Sequence, residues 1–296
     1  MKVEQVIIIG AGPAGLATAI QLKRYGVQPV LFERAELGGL LRNANLVENY
    51  PGFPGGISGP ELVDLFVRQA QGLNIRVTPE AVLDVTYARG IFTAETEQKH
   101  YGSKILVVAT GTKPLHLKGL VVPDDLAGRV YYEVYQLLHL EGQCVAIVGS
   151  GDAAFDYALN LGRKNRVLIL NRGSQPKCLP LLWERSKNTS SITYHDNILV
   201  CQVRANPEGG LWLDCQSEKG EIQFQADYLL GAIGREAQLD CLSEAIRQQE
   251  ARLVSEGVLY LIGDVKNGIY RQTSIAVGEG VMAAMKIYRY LREGIA

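Results

Sequence analysis

The residues best placed to do chemistry sit in two glycine loops. Gly10-Ala11-Gly12-Pro13-Ala14-Gly15 matches G-x-G-x-x-G, and Gly149-Ser150-Gly151-Asp152-Ala153-Ala154 matches G-x-G-x-x-A. Such a loop turns tightly at its first glycine and bares its backbone at the second, so that a pyrophosphate can approach. Its third position lets a helix pack closely on a strand. A polar residue at the end of the next strand then reads the ribose. That position falls 23 residues beyond each first glycine, at Glu33 and at Arg172. A carboxylate accepts hydrogen bonds from free ribose hydroxyls, as in FAD or NAD, whereas a guanidinium suits a ribose 2′-phosphate, as in NADP. Lys177 supplies a second cation near Arg172. The implied chemistry is carried by bound cofactors, and no catalytic side chain or metal ligand is assigned.

The elements that must position these loops follow from the apolar pattern. Val6 to Ile9 and Val145 to Val148 are unbroken apolar runs, as strands buried on both faces require. Ala14 to Tyr25 and Ala154 to Leu161 read as the helices that follow, with Gly26 stopping the first. Pro29 to Phe32 and Arg166 to Leu170 read as the second strands. The nucleotide-binding unit therefore occurs twice, 139 residues apart. Leu37 to Pro60 carries too many glycines and prolines for regular structure, and a long ordered loop of that kind is usually functional. Glu61 to Gln71 has helical spacing. Ile75 to Val85, Gly90 to Glu97 and Lys104 to Ala109 read as strands, the last closed by Thr110-Gly111. A strand-rich second half follows, with strands at Asn188 to Cys201, Leu211 to Ala226 and Asp227 to Ala232. Tyr260 to Ile262 is a last strand, ending at Gly263-Asp264, and Ser274 to Leu291 is a long helix. The expected fold class is α/β, with two Rossmann-like three-layer dinucleotide-binding domains.

Composition excludes several functions. The chain has 296 residues, is 47% hydrophobic and 21% charged, and carries a net charge of −1. That balance fits a globular protein and gives no electrostatic case for nucleic acid or an anionic membrane. Met1 to Gln5 lead directly into the first strand, and no apolar run is long and unbroken enough to span a bilayer. Five cysteines (Cys144, Cys178, Cys201, Cys215 and Cys241) are widely spaced with no C-x-x-C, as expected of reduced thiols in the cytoplasm.

The motifs occur together in a telling order. Ala109-Thr110-Gly111, Ala232-Ile233-Gly234, Gly263-Asp264 and Arg271-Gln272-Thr273 before the last helix follow the two glycine loops. The chain resembles the low-molecular-weight thioredoxin reductases over nearly its whole length. GGLLRNANLVENYPG at Gly38 to Gly52 is similar to the family's GGQLTTTTEVENWPG without a gap, and GDVKNGIYRQTSIAVGEGVMA at Gly263 to Ala283 also follows its pattern. The resemblance implies an FAD domain over residues 1–114 and 244–296, an inserted NAD(P) domain over 115–243, and a homodimer. It implies FAD contacts at Gly10, Gly12, Pro13, Ala14, Gly15, Glu33, Arg34, Gly39, Leu40, Val82, and Ala109 to Gly111. Asn49 is expected at the flavin ring, Asp264 with Gly263 at the ribityl chain, and Arg271, Gln272 and Thr273 at the pyrimidine side. NADP, with NAD as an alternative, is expected at Gly149, Gly151, Asp152, Ala153, Arg172, Lys177, Ile233 and Gly234. Leu40 replaces the usual Gln, and the family's H-R-R-x-x-x-R appears as Asn171, Arg172, Gly173 and Lys177.

The largest departure is at the chemistry. Where the family places C-A-T-C-D before the second glycine loop, this chain has Tyr132-Glu133-Val134-Tyr135-Gln136. Both redox cysteines are tyrosines, so no dithiol relay to thioredoxin exists, and Tyr132 and Tyr135 become candidates to face the flavin. Gly149 to Leu159 is also similar to the thioredoxin-reductase-like ferredoxin–NADP reductases. Bacillithiol-disulfide reductases, which also lack C-x-x-C, place a Cys where this chain has Ala14. Three readings stay open. One is an NAD(P)H-dependent flavin oxidoreductase passing hydride to FAD and electrons to an acceptor other than thioredoxin. The second is a flavoenzyme linked to a ferredoxin-like protein or a dithiol substrate that makes little use of NAD(P)H. The third is a non-catalytic FAD-binding redox sensor. The acceptor, protein or small molecule, is not written in the residues.

Overall fold

The computed structural model describes residues 3–294. The chain forms two compact units. The first comprises residues 1–42, 47–113 and 236–296, and the second 43–46 and 114–235.

In the first unit β1 (Val3–Ile9) runs into α1 (Pro13–Arg24), and β2 (Val30–Phe32) returns parallel to β1. The α2 helix (Gly59–Gly72) begins at a capping box, in which the Ser58 hydroxyl accepts from Glu61 N and the Glu61 carboxylate accepts from Ser58 N. Next come β3 (Val77–Thr78), the antiparallel pair β4 (Asp84–Ala88) and β5 (Ile91–Glu95), and the long β6 (His100–Val108). The chain leaves along β7 (Thr112–Pro114).

The second unit contains β8 (Val130–Tyr131), β9 (Cys144–Val148), α3 (Asp152–Leu161), β10 (Arg166–Leu170), α4 (Pro180–Lys187) and β11 (Ile192–His195). Three antiparallel strands follow, β12 (Leu199–Ala205), β13 (Leu211–Ser217) and β14 (Gly220–Ala226), and then β15 (Tyr228–Gly231). Return is along β16 (Arg235–Ala237) into α5 (Glu244–Gln248), α6 (Glu250–Ser255), β17 (Leu259–Leu261) and α7 (Thr273–Glu293).

Both units are three-layered around a sheet, mixed in the first unit and parallel in the second. The first sheet has the order β3-β2-β1-β6-β5-β4, with β17 also paired to β6. Alternate residues of β6 enter different cores. Ile105 and Val107 pack under α1 and α7, while Leu106 and Val108 pack with Phe92, Leu242 and Leu253 on the other face. The second sheet, β11-β10-β9-β15-β8, is parallel throughout. One of its faces packs on α3 and the other on the antiparallel β12–β14 layer.

The structure corrects the expected boundaries. The return lies at 235/236 rather than 243/244, because Lys113 pairs with Asp240 (2.7 Å), Gln238 N donates to Gly111 O (3.0 Å), and Cys241 and Leu242 are buried in the first unit. Asn43 to Leu46 belong to the second unit, through an Asn43 Nδ2 to Glu133 bond (2.8 Å) and an Asn45 N to Asp156 bond (2.9 Å). Three short helices were not expected from sequence: α4, α5 and α6. They have eight residues or fewer, too few for a periodic pattern to declare itself.

The α1–α7 contact depends on Gly280. A Cβ there would lie 2.4 Å from Ala14 O and 3.0 Å from Thr18 Oγ1, which itself donates to Gly280 O (3.1 Å). Gly280→Ala is expected to lower stability by roughly 1–3 kcal/mol through overpacking, read as an earlier urea midpoint. An unchanged midpoint would mean that the two helices can separate without cost.

Candidate functional site

Each glycine loop is built by the same set of contacts. In the first unit Gly10 N donates to Phe32 O (2.8 Å), the last residue of β2, and in the second Gly149 N donates to Leu170 O (3.1 Å), the last of β10. Ala109 N donates to Ile9 O (2.8 Å), as Ala232 N does to Val148 O (2.8 Å). Those alanine carbonyls then press on the glycines. A Cβ on Gly10 would lie 2.4 Å from Ala109 O, and one on Gly149 would lie 2.3 Å from Ala232 O. Both glycines also have positive φ, +101° and +153°. The glycine is demanded twice, by conformation and by space. Gly15 is demanded by space alone, since its Cβ would fall 1.8 Å from Gly10 O.

The middle glycines are the opposite case. Nothing lies within 4 Å of where a Cβ on Gly12 or Gly151 would stand. Each is the N-cap of its helix, neither helix has a side-chain cap, and α1 begins with Pro13. Both helices therefore start without a side-chain cap beside a glycine that leaves space, a setting that suits a phosphate. Asp152, at the start of α3, accepts from Leu179 N (2.7 Å), so its carboxylate is turned to the following loop.

The two strand-end positions expected to read a ribose differ as their residue types require. Glu33 accepts from Ala11 N (2.8 Å) and Ala35 N (3.0 Å), which fixes its carboxylate against the first loop. Arg172 and Lys177 are exposed, and among the described residues neither has a carboxylate partner. Their loop is nonetheless ordered, because Lys177 N donates to Ser150 O (2.7 Å), just as Gly38 N donates to Ala11 O (2.9 Å) in the first unit.

Most of the remaining expected contacts gather in the first unit. Gly39 has positive φ, and a Cβ on it would stand 3.3 Å from Gly12 Cα, so this turn forms a wall of the first loop. Arg42 holds the turn by donating to Gly39 O (3.2 Å) and Leu37 O, with Leu40 between them. Asn49 donates to Gln272 Oε1 (2.7 Å), which brings the 38–52 stretch to the start of α7. That helix starts at Thr273 with no acid in its first turn and no side-chain cap. Gly263-Asp264 is held from the same helix, where the Glu279 carboxylate accepts from Gly263 N (2.7 Å) and Asn267 (3.0 Å). Thr110 donates to Gln238 O, while Arg34 is exposed and Val82 packs against the first unit's core. Ile233 and Gly234 are exposed just past β15.

Tyr132 and Tyr135 part company. The Tyr132 ring lies on Gly231, where a Cβ would come within 2.6 Å of it, and meets His116 tilted, at 4.2 Å between centroids. Its hydroxyl accepts from Leu117 N (3.3 Å). Tyr132 is thus engaged within the second unit, whereas Tyr135 is 44% exposed. The cysteines are all free thiols. Cys144, Cys215 and Cys241 are buried, and burial pushes the Cys215 thiol up to about 12.

Sequence reasoning missed one titratable group. Asp156 on α3 accepts from Asn45 N and Leu46 N with Arg163 nearby, yet burial dominates and pushes its carboxyl up to about 6. A glycine-loop helix carrying an acid on its fifth residue was the available signal. The folded pKa lies above the ordinary value of 3.8, so the native state holds the proton more tightly. This contribution is full below pH 3.8 and is lost as pH rises through 6. Asp156→Asn is expected to remove a fall in stability of about 2–3 kcal/mol between those limits. Unfolding curves across that range check it, and an unchanged slope refutes it.

Comparison with known proteins places these features in context. Residues 4–280 match the family described as pyridine nucleotide-disulphide oxidoreductase. A thioredoxin reductase of Streptomyces clavuligerus is 32% identical over 306 residues, covering 98% of this chain and 94% of that one. NADPH-dependent thioredoxin reductase 3 of Arabidopsis thaliana is 31% identical across 98% of this chain, which spans only 58% of that relative's length. The crystal structure of Lactococcus lactis thioredoxin reductase in its FR conformation shares the fold at a TM-score of 0.86, with 22% identity, over 98% of this chain and 99% of that one. Among the described residues no helix is long and apolar enough to cross a membrane.

Proposed function

Because the chain belongs to the pyridine nucleotide-disulphide oxidoreductase family, as an FAD-dependent enzyme of thioredoxin reductase type, we propose that it oxidises NADPH and passes the electrons to an acceptor other than thioredoxin. The observation that carries the reading is the pair of tyrosines at the positions of the family's dithiol, in a chain with no C-x-x-C anywhere. Disulfide exchange needs two thiols within reach of one another, and this segment offers none. The acceptor is then a ferredoxin-like protein or a small molecule that meets the flavin directly. In this reading the enzyme is a cytoplasmic homodimer, without nucleic-acid or membrane partners.

Both loops fit a dinucleotide. Gly12 and Gly151 leave the space, the uncapped starts of α1 and α3 supply amides, and Glu33 and Arg172 divide the specificity. FAD, when bound, supplies the ability to take two electrons at once and release them singly or together. The chain's own residues do the rest. Glu33 accepts from ribose hydroxyls, and Gly263-Asp264 is steadied by Glu279 to meet the sugar-like chain. The positive end of α7 at Thr273 favours negative charge on the pyrimidine side. In the second unit Arg172 and Lys177 hold the 2′-phosphate. Tyr135, the exposed member of the tyrosine pair, is the candidate to limit access of small acceptors.

Purified protein is expected to carry one FAD and to bleach rapidly when mixed anaerobically with NADPH. Colourless protein that takes up no added FAD would remove the basis of the reading. Yellow protein that NADPH leaves oxidised would favour reduction by a ferredoxin-like donor instead. Arg172→Ala is expected to weaken NADPH by roughly 1–3 kcal/mol and to leave NADH nearly unchanged. Equal losses for both nucleotides in steady-state titrations would show that Arg172 does not read the phosphate.

A further inference from the structure

Where the family has histidine before its arginines, this chain has Asn171, and the structure gives that residue a defined task. Asn171 follows β10 and is 4% exposed. Its backbone is fixed on both sides, with its N–H donating to His195 O (2.9 Å) and its carbonyl accepting from Ile198 N (2.8 Å). The side chain reaches forward over the loop that carries the two cations. Oδ1 accepts from Gly173 N (3.0 Å), while Nδ2 donates to Gln175 O (2.9 Å) and to the Tyr194 hydroxyl (2.8 Å). The far end is tied by Lys177 N to Ser150 O, and Asn197 N donates to Gly173 O (3.0 Å). Arg172 and Lys177 therefore project from a loop whose middle is held by one buried amide and whose far end is tied by backbone bonds.

The carboxamide satisfies all three partners at once. Gly173 N–H can only donate and the Gln175 carbonyl can only accept, so the side chain between them must offer one acceptor and one donor in a plane. A carboxylate would face the Gln175 carbonyl with no proton to give, and an aliphatic side chain would leave both backbone groups unpaired. Tyr194 is itself wedged, edge-on to Trp183 at 5.0 Å and tilted on Phe155 at 5.9 Å, so its hydroxyl is a fixed anchor.

We propose that Asn171 is the positioning residue that sets nucleotide choice, by holding the 172–177 loop in the shape that lets Arg172 and Lys177 close on a single ribose phosphate monoester. The phosphate is recognised by two long side chains, which lose selectivity if their backbone wanders. The proposal rests on the reading of Arg172 and Lys177 as a 2′-phosphate site.

The test is calorimetric titration of the full-length protein with 2′,5′-ADP and with 5′-AMP, which differ only in that phosphate. Wild-type protein is expected to prefer 2′,5′-ADP by about 100-fold, the order expected of two charge-assisted contacts. Asn171→Leu should weaken 2′,5′-ADP by about 10-fold or more, with 5′-AMP within about 2-fold. Tyr194→Phe, which removes one of the three side-chain bonds, should weaken 2′,5′-ADP by about 3-fold and spare 5′-AMP. If Asn171→Leu does not fold, the Tyr194→Phe result decides. Equal losses for both ligands would make Asn171 a general support of the fold, and unchanged 2′,5′-ADP binding would leave it no role in selection. Either outcome overturns the proposal while leaving the phosphate site standing. A wild-type protein with no preference for 2′,5′-ADP, matched by Arg172→Ala, would overturn the phosphate site itself and the proposal with it.

Discussion

The contact on which the architecture turns is the pressure of an alanine carbonyl on the first glycine of each loop. Ala109 O and Ala232 O stand 2.4 and 2.3 Å from where the Cβ atoms of Gly10 and Gly149 would be. That approach lets β6 and β15 run beside β1 and β9 to their last residues, with Ala109 N and Ala232 N completing the ladders to Ile9 O and Val148 O. Any side chain at either glycine would force two parallel strands apart at the edge where the cofactors are expected. The open space at Gly12 and Gly151 is a consequence. With the strand ends locked, the chain can turn sharply and leave the starts of α1 and α3 facing outward.

Two copies of one frame have been given opposite electrostatic characters by few residues. Glu33 folds back onto Ala11 N, so a carboxylate becomes part of the first loop's hydrogen bonding. The second loop receives no such side chain. It is joined instead through Lys177 N to Ser150 O, which leaves Arg172 and the Lys177 side chain exposed. The first loop thereby gains a fixed carboxylate and the second two exposed cations, although the backbone scaffolds correspond almost bond for bond.

Much of this was legible in the residues. The glycine loops and the equal spacing to Glu33 and Arg172 follow from local geometry, which sequence records directly. So does the long α7, whose 21 residues give a helical period room to repeat. The role of Ala109 and Ala232 was not legible as a shared one, because it depends on carbonyls meeting glycines some 80 to 100 residues distant. Asp156 was missed for a related reason. An acid on a helix reads as a solvated face until Asn45 N and Leu46 N are seen to cover it. Tyr132 and Tyr135 look alike in sequence, yet only the first meets a glycine, Gly231, that makes room for its ring.

The placement of Asn43 to Leu46 bears on how separable the two units are. Four residues drawn from the first unit's glycine-rich stretch complete the second, supplying Asn43 to Glu133, Asn45 N to Asp156, and an acceptor for Arg163 at Asn45 Oδ1 (2.6 Å). The second unit is therefore not a self-sufficient module that can be lifted out at its two obvious seams. A fragment cut at 114 and 235 would lose the Asn43 donor to Glu133 and the backbone donors of Asn45 and Leu46 to the half-buried Asp156. Its boundary is drawn by hydrogen bonds rather than by where the chain enters and leaves.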